Sequence, residues 1–360
     1  MTDAHGLLEQ LVAFPSVAGR PNDEVAGFIA GWLRGHGIEC AEVRGASGRV
    51  NLLASTGPAA GGVLLAAHMD VVEVEGQAWN GDPWRLRRHG ERLVGRGSAD
   101  MKGFLACAMR AMADAAAVEL REPLRLAVST DEEIGCVGVR DLLPVIEALP
   151  QRPRACLVGE PTGMRLVTAH KGKLALRATL HGSARHSSEA PRADNAVEHA
   201  AELVLALRDR GRELAHGRRD RRFAIPHSTI SVGPIHGGRA LNVVPDHCTV
   251  EFEVRNLPGD DPASLLSGIG NADLERLAAY PALDGEPGAL CDWLGVAAGD
   301  AIDFGTEAGL YARLGIATAV CGPGDIGDAH RADESIAIEQ LDACSTALGR
   351  LLTHLTQGSP

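Results

Sequence analysis

Seven residues of this chain have types and positions that could do chemistry together: His68, Asp70, Asp100, Glu132, Glu133, Glu160 and His330. His68 and Asp70 follow the apolar run at 63–67 (VLLAA), Glu132 and Glu133 follow 124–128 (LRLAV), and Glu160 follows 155–158 (ACLV). Asp100 lies in GRGSADMKG, just ahead of a helical stretch, and His330 lies in GDAHRADE. Two imidazoles gathered with several carboxylates suit zinc or a similar borderline-soft divalent ion, which accepts nitrogen and oxygen together. Five ligands exceed what one catalytic ion can take while keeping a position open for water. A pair of ions sharing one carboxylate accounts for the number better. In this reading Asp100 is the bridge, with His68 and Glu160 on one ion and Glu133 and His330 on the other. Such a pair can polarise a scissile carbonyl and acidify a shared water, which is the chemistry of amide hydrolysis. Zinc is the expected metal, with cobalt as the alternative.

Glu132 and Glu133 are adjacent, so in extended backbone their side chains point to opposite sides and cannot serve one metal equally. Glu132 is therefore read as the general base, which takes a proton from water and returns it to the leaving nitrogen. Asp70 lies two residues from His68, on the same face of a strand, and its carboxylate is expected to accept the imidazole's other N–H. Taken singly, each of these residues has a plain structural reading. A His-x-Asp is commonly a surface pair, and an acidic pair often opens a helix.

The elements that must position these residues read as α/β. Helices are expected around a Pro15–Ser16 break between Leu7 and Gly35, the three apolar runs are expected as buried strands of a mostly parallel sheet, and a helix is expected from Met101 to Ala117. Loops at the carboxyl ends of parallel strands converge on one crevice, where ligands bind. After Lys171 the texture changes to alternating strands (KLALRATLHG, TISVGPIHGG, CTVEFEVR), with helical segments expected at 196–209 and 263–279. Apolar runs return after Pro281, and a last helix is expected near 338–355. The expected division is a catalytic domain in two parts, 1–171 and 281–360, interrupted by a smaller α+β domain over 172–280.

The bulk properties narrow the function. A net charge of −12 and 3% aromatic residues argue against nucleic acid, which requires a basic surface and stacking platforms. No apolar stretch is long enough to span a membrane, the N-terminus lacks the order of a signal peptide, and the eight scattered cysteines fit reduced thiols, so a cytoplasmic protein is expected. No cysteine is the first choice for a nucleophile. The basic run RRDRR at 218–222 reads as a solvated loop.

Ten ordered segments resemble the co-catalytic zinc aminoacylase and carboxypeptidase superfamily, which includes acetylornithine deacetylases and succinyl-diaminopimelate desuccinylases. They are LLAAHMDVV, WNGDPW, GRGSADMKG, STDEEIGC, GEPT, HKGKLALRATLHGSARHSS, GGRALNVVP, VRNLPG, FGTEAG and GPGDIGDAHRADE, in the family's order. The resemblance implies a zinc-exopeptidase-like catalytic domain with an inserted lid or dimerisation domain, and it carries over the two-metal assignment at His68, Asp100, Glu133, Glu160 and His330. It implies a cis bond at Asp100–Met101 and a homodimer formed through the insert. It also implies that His186 is the lid histidine that stabilises the oxyanion, in its own or the partner's site. Asn242 and Arg255 resemble residues that hold the substrate carboxylate. Thr306 and Glu307 match a pocket-lining position, where Glu307 would balance a substrate amine.

The Thr-Glu-Ala form, together with GEPT and HKG, looks most like the deacetylase branch. It implies a small N-acyl amino acid substrate, N2-acetyl-L-ornithine first, and a place in arginine biosynthesis. Acetylcitrulline deacetylase, desuccinylase, general aminoacylase and dipeptidase are the alternatives within the reaction class, and a non-catalytic binding relative is the alternative outside it. Two departures stand out. Asn256 follows Arg255 where the family often has proline, and the stretch 260–300 is short, so the insert is expected to lack one strand.

Overall fold

Apolar runs buried on both faces belong inside a sheet covered by helices. The computed structural model, which describes residues 3–270, 272–286 and 288–357, places four such runs together. Strands Leu124–Ser129, Val63–His68, Ala155–Pro161 and Ala317–Gly322 pair in parallel. Beyond Leu124–Ser129 the sheet continues with Val50–Thr56 and then Glu39–Arg44, each antiparallel to its neighbour, making six strands. The mostly parallel α/β architecture expected from the sequence is the one observed.

Helix Gly103–Ala116 (GFLACAMRAMADAA) is buried on nearly every side, and it packs against helices Ala4–Val12 and Ile338–Gln357. Its many alanines permit that close approach, while Phe104, Leu105, Met109 and Met112 supply large apolar groups, each worth about 1.5–3 kcal/mol when fully buried. Phe104 reaches the sheet at Gly159, where an added Cβ would lie 1.9 Å from the Phe104 ring. Glycine is required there by the ring. The close fit fixes the strand directly before Glu160.

The chain forms two compact units. One comprises the residues through Thr168, Gly285–Asp300, and those from Thr306 onward; the other comprises Ala169–Asp284 and Ala301–Gly305. In the first unit a small three-stranded sheet joins Ser335–Ala337 to Arg92–Val94 and Arg87–His89. It holds the segment leading to Asp100 beside the one leading from His330.

The second unit is built on four antiparallel strands in the order Thr229–Gly237, His247–Asn256, Gly172–His181, Asp273–Tyr280. Along His247–Asn256 burial alternates, and Cys248, Val250 and Phe252 face Ala200, Leu203 and Leu207 of helix Ala196–His216. That helix begins at Asn195, whose side chain accepts the Val197 N–H. The expected helix at 263–279 is not formed. One 3-10 turn at Ser264–Leu266 leads instead to the strand Asp273–Tyr280, so the insert does not lack the strand that the sequence left out. The edge of Gly172–His181 offers backbone hydrogen bonds that outweigh the helical preference of DLERLAAY. No helix among the described residues is long and apolar enough to cross a membrane.

Candidate metal centre

Three parallel strands end where the polar residues begin. His68 terminates Val63–His68 in register with Ser129, Glu132 and Glu133 follow Leu124–Ser129, and Glu160 lies within Ala155–Pro161. Asp100 enters from the turn ahead of helix Gly103–Ala116, and the Asp100–Met101 bond is cis. His330 arrives from the loop after Ala317–Gly322 with φ of +61°, a left-handed conformation uncommon for a residue with a Cβ. Strained backbone of this kind collects at functional sites.

Asp100 divides its carboxylate between the two imidazoles. Its Oδ1 lies 3.1 Å from His68 Nε2 and its Oδ2 lies 3.0 Å from His330 Nε2. Glu160 approaches the first imidazole, with Oε1 3.7 Å from His68 Nε2; Glu133 approaches the second, with Oε2 3.0 Å from His330 Nε2. His68, Asp70, Asp100 and Glu160 are buried, Glu132 and Glu133 are half-buried, and the His330 side chain is 50% exposed. Ligand atoms of His68, Asp100 and Glu133 all fall within 4.8 Å of one another, as do those of His68, Glu132 and Glu160. Glu132 thus stands close enough to be a ligand as well as a base.

The electrostatics describe a site short of positive charge. Burial pushes Glu160 well above the usual carboxylate range and Glu133 up to about 8, and in both cases the Asp100 charge adds to the rise. Burial would strip the proton from His68, but the hydrogen bond to Asp100 and the charges of Asp70 and Glu160 outweigh it and hold the imidazolium. Hydrogen bonds to Asp100 and Glu133 lift His330 to about 10. Burial also opposes ionisation of Asp100, yet the hydrogen bonds from His330 and His68 win and keep it ionised. Oxygen donors crowded to the point of keeping protons, beside two imidazoles, form a donor set that fits divalent cations.

One detail differs from expectation, and two further residues have defined surroundings. His68 Nδ1 donates to the backbone carbonyl of Asp70 at 2.9 Å, not to its carboxylate, whose Oδ1 is 3.6 Å away. The Asp70 Oδ2 is taken by the Glu133 N–H at 3.2 Å, so Asp70 orients the acidic pair and holds His68 through its main chain. Thr306 is fully buried, and its hydroxyl accepts the Ala308 N–H at 3.0 Å, at the start of helix Ala308–Arg313. Glu307 is buried against Ser129, and burial with the charge of Glu132 raises it to about 8.

Two residues escaped the sequence reading. Cys136, buried and at φ +54°, places Sγ 3.2 Å from Glu132 Oε1, so the Asp-Glu-Glu loop carries a thiol beside the proposed base. Burial pushes that thiol well above its ordinary value, so it donates and does not attack. Glu334 accepts the backbone N–H groups of Ala99 and Asp100 at 2.9 and 3.0 Å. Its place in GDAHRADE, four residues after His330, was the available signal.

The remaining candidates belong to the second unit. His186 is exposed, with Nδ1 2.8 Å from the Ser188 hydroxyl; Asn242 adjoins it, its carbonyl accepting the Ser187 N–H at 3.0 Å. Arg255, near the end of His247–Asn256, donates from Nε to Glu253 at 2.9 Å and from Nη1 to the Tyr280 hydroxyl at 2.6 Å. Part of its guanidinium is therefore already engaged.

A parallel sheet whose strand ends gather two imidazoles and four carboxylates around one aspartate defines a metal-dependent hydrolase. Residues 64–354 match the peptidase family M20/M25/M40, and the chain belongs to that family. It is 32% identical to an acetylornithine deacetylase of Klebsiella pneumoniae (strain 342) over 96% of this chain and 95% of that protein. Among solved structures it resembles an M20 family metallo-carboxypeptidase from Sulfolobus solfataricus, with a TM-score of 0.82 and 19% identity over 99% of this chain and 100% of the other. It also resembles a dinuclear metal binding M20 peptidase from Bacillus subtilis, with a TM-score of 0.69 and 15% identity over 98% of each chain.

Proposed function

We propose that the protein is a two-metal amidohydrolase that removes the acetyl group from an N-acyl amino acid, with N2-acetyl-L-ornithine and water giving L-ornithine and acetate. The observation that carries the two-metal reading is the division of Asp100 between His68 and His330. His68 and Glu160 would hold one ion and Glu133 and His330 the other, with Asp100 shared. Zinc is the metal this donor set suits first, cobalt second. Bound there, the ions would polarise the substrate carbonyl and lower the pKa of the attacking water.

The protein's own residues supply the rest. Glu132 takes the proton from water and delivers it to the leaving nitrogen, with one oxygen steadied by Cys136. Asp70 holds the His68 ring by its carbonyl and the Glu133 backbone by its carboxylate. In the second unit, read as an inserted lid and dimerisation domain, His186 would hydrogen-bond the developing oxyanion, and Asn242 and Arg255 would bind the substrate carboxylate. The acetyl-ornithine reading leans on the Klebsiella relative and on the Thr-Glu-Ala segment; cytoplasmic location and a homodimer through the inserted domain complete it.

The test is a substrate panel of acetyl-ornithine, acetyl-citrulline, succinyl-diaminopimelate and simple acetyl amino acids, with added zinc or cobalt and then with chelator. Chelator-sensitive turnover that is best on acetyl-ornithine is expected. Preference for another member replaces the substrate, and no turnover by metal-loaded protein points to a binding relative.

A further inference from the structure

The segment QAWNGDPW, residues 77–84, has no part in the chemistry above, yet it straps the loop that carries His330. Gln77 Nε2 donates to the His330 carbonyl at 3.1 Å. The Gln77 Oε1 accepts from the Trp79 indole at 3.1 Å and from Arg96 Nη2. Arg96 lies over the Trp79 ring, 5.0 Å from its centroid, and its Nη1 is 2.7 Å from Glu334 Oε2, in an ion pair with both side chains 1% exposed. Glu334 in turn accepts the Ala99 and Asp100 N–H groups. Farther along the strap, the Asn80 N–H donates to Asp333 Oδ1 at 3.1 Å.

His330 and Asp333 both carry positive φ, at 61° and 56°, in a loop with no regular ladder of its own. External hydrogen bonds must hold such backbone in place. A continuous chain of contacts therefore runs from the His330 carbonyl through Gln77, Arg96 and Glu334 to the Asp100 backbone. The imidazole itself is half-exposed and meets Asp100 Oδ2 and Glu133 Oε2, each 3.0 Å from Nε2, so its placement depends on the backbone that carries it.

We propose that Gln77 is a positioning residue for His330, fixing that imidazole relative to Asp100 and so setting the affinity of one of the two metals. The inference rests on His330 being a metal ligand. Gln77→Glu is the discriminating variant, because it keeps the acceptor for Arg96 and Trp79 but turns an oxygen, in place of an N–H, toward the His330 carbonyl. Partners of this kind typically change metal affinity by about 10–100-fold.

The experiment is stepwise zinc titration of the metal-free protein against a chromogenic chelator, with the melting temperature of the metal-free form measured alongside. The wild type should take two zinc ions. Gln77→Glu should bind one about tenfold or more weakly, bind the other within about twofold of wild type, and melt as the wild type does. Two unchanged affinities in the variant would overturn the inference and leave the two-metal reading standing; so would equal weakening of both steps with a lowered melting temperature, which marks general support. Failure of the wild type to bind a second zinc would instead remove the two-metal reading on which the inference rests.

Discussion

Replacing Glu132 by glutamine probes the acid–base assignment with little disturbance to packing. The amide keeps the side chain's volume and keeps an oxygen for the Cys136 thiol, 3.2 Å away in the native site, but it cannot take a proton from water. General acid–base catalysis contributes about 10²–10⁴ in rate, which at about 1.36 kcal/mol per tenfold is about 2.7–5.4 kcal/mol of barrier. Burial and the charges of Asp70 and Asp100 raise the Glu132 pKa, bringing its proton affinity nearer to neutral pH, where a base is most effective. A loss of about 10³ in kcat is therefore expected, with KM changed only a few-fold. Initial rates on the best acyl amino acid, combined with metal analysis of the same samples, read both quantities. Retention of kcat within tenfold, with two metals bound, would refute the assignment. Loss of metal from Glu132→Gln would refute it differently: Glu132 would then be a ligand in the group it forms with His68 and Glu160.

Other consequences can be checked in the same way. Cys136→Ala should lower kcat by about tenfold and Cys136→Ser should recover most of it, as expected for a hydrogen bond of about 1–1.5 kcal/mol that orients a charged group; equal rates for the two variants would remove the thiol from the account. Gly159→Ala should destabilise the fold by about 1–3 kcal/mol in denaturant unfolding, because the new methyl meets the Phe104 ring; an unchanged midpoint would show that the ring moves freely. The pH dependence of the metal-free protein has a definite sign. Both Glu133, at about 8, and His330, at about 10, have folded pKa values above their ordinary 4.5 and 6.5, so the folded state binds more protons. Their contribution is fully present below pH 4.5 and 6.5 respectively and is lost as pH rises through about 8 and 10. Thermal melts of metal-free protein should therefore fall between pH 6 and 9, and those of zinc-loaded protein should fall less. Melts independent of pH would contradict the assigned protonation.

Much of this site was legible because it obeys a simple spatial rule: polar residues directly after buried apolar runs reach one crevice when the runs are parallel neighbours. His68, Glu132, Glu133 and Glu160 follow that rule, and the observed strand order brings them together. What the spacing could not show was which atom of Asp70 meets His68, since carbonyl and carboxylate of one residue lie within reach of the same ring. Buried charge was equally hidden. Nothing in the spacing marks Arg96 and Glu334 as buried; their mutual pairing, with Gln77 and Trp79 on Arg96 and the Ala99 and Asp100 N–H groups on Glu334, permits it. The segment DLERLAAY was misread because Leu274, Leu277 and Ala278 satisfy a helical i, i+3, i+4 pattern. In the strand that forms, Leu274 is 57% exposed, so the pairing with Gly172–His181 decided its conformation and its own apolar pattern did not.

A crystal structure of zinc-loaded protein with anomalous data collected at the zinc edge would examine the metal centre itself. Two peaks about 3.5–4 Å apart are predicted, each touching one oxygen of Asp100, with His68 and Glu160 beside one and Glu133 and His330 beside the other. A single ion, or two ions that do not share Asp100, would contradict the account.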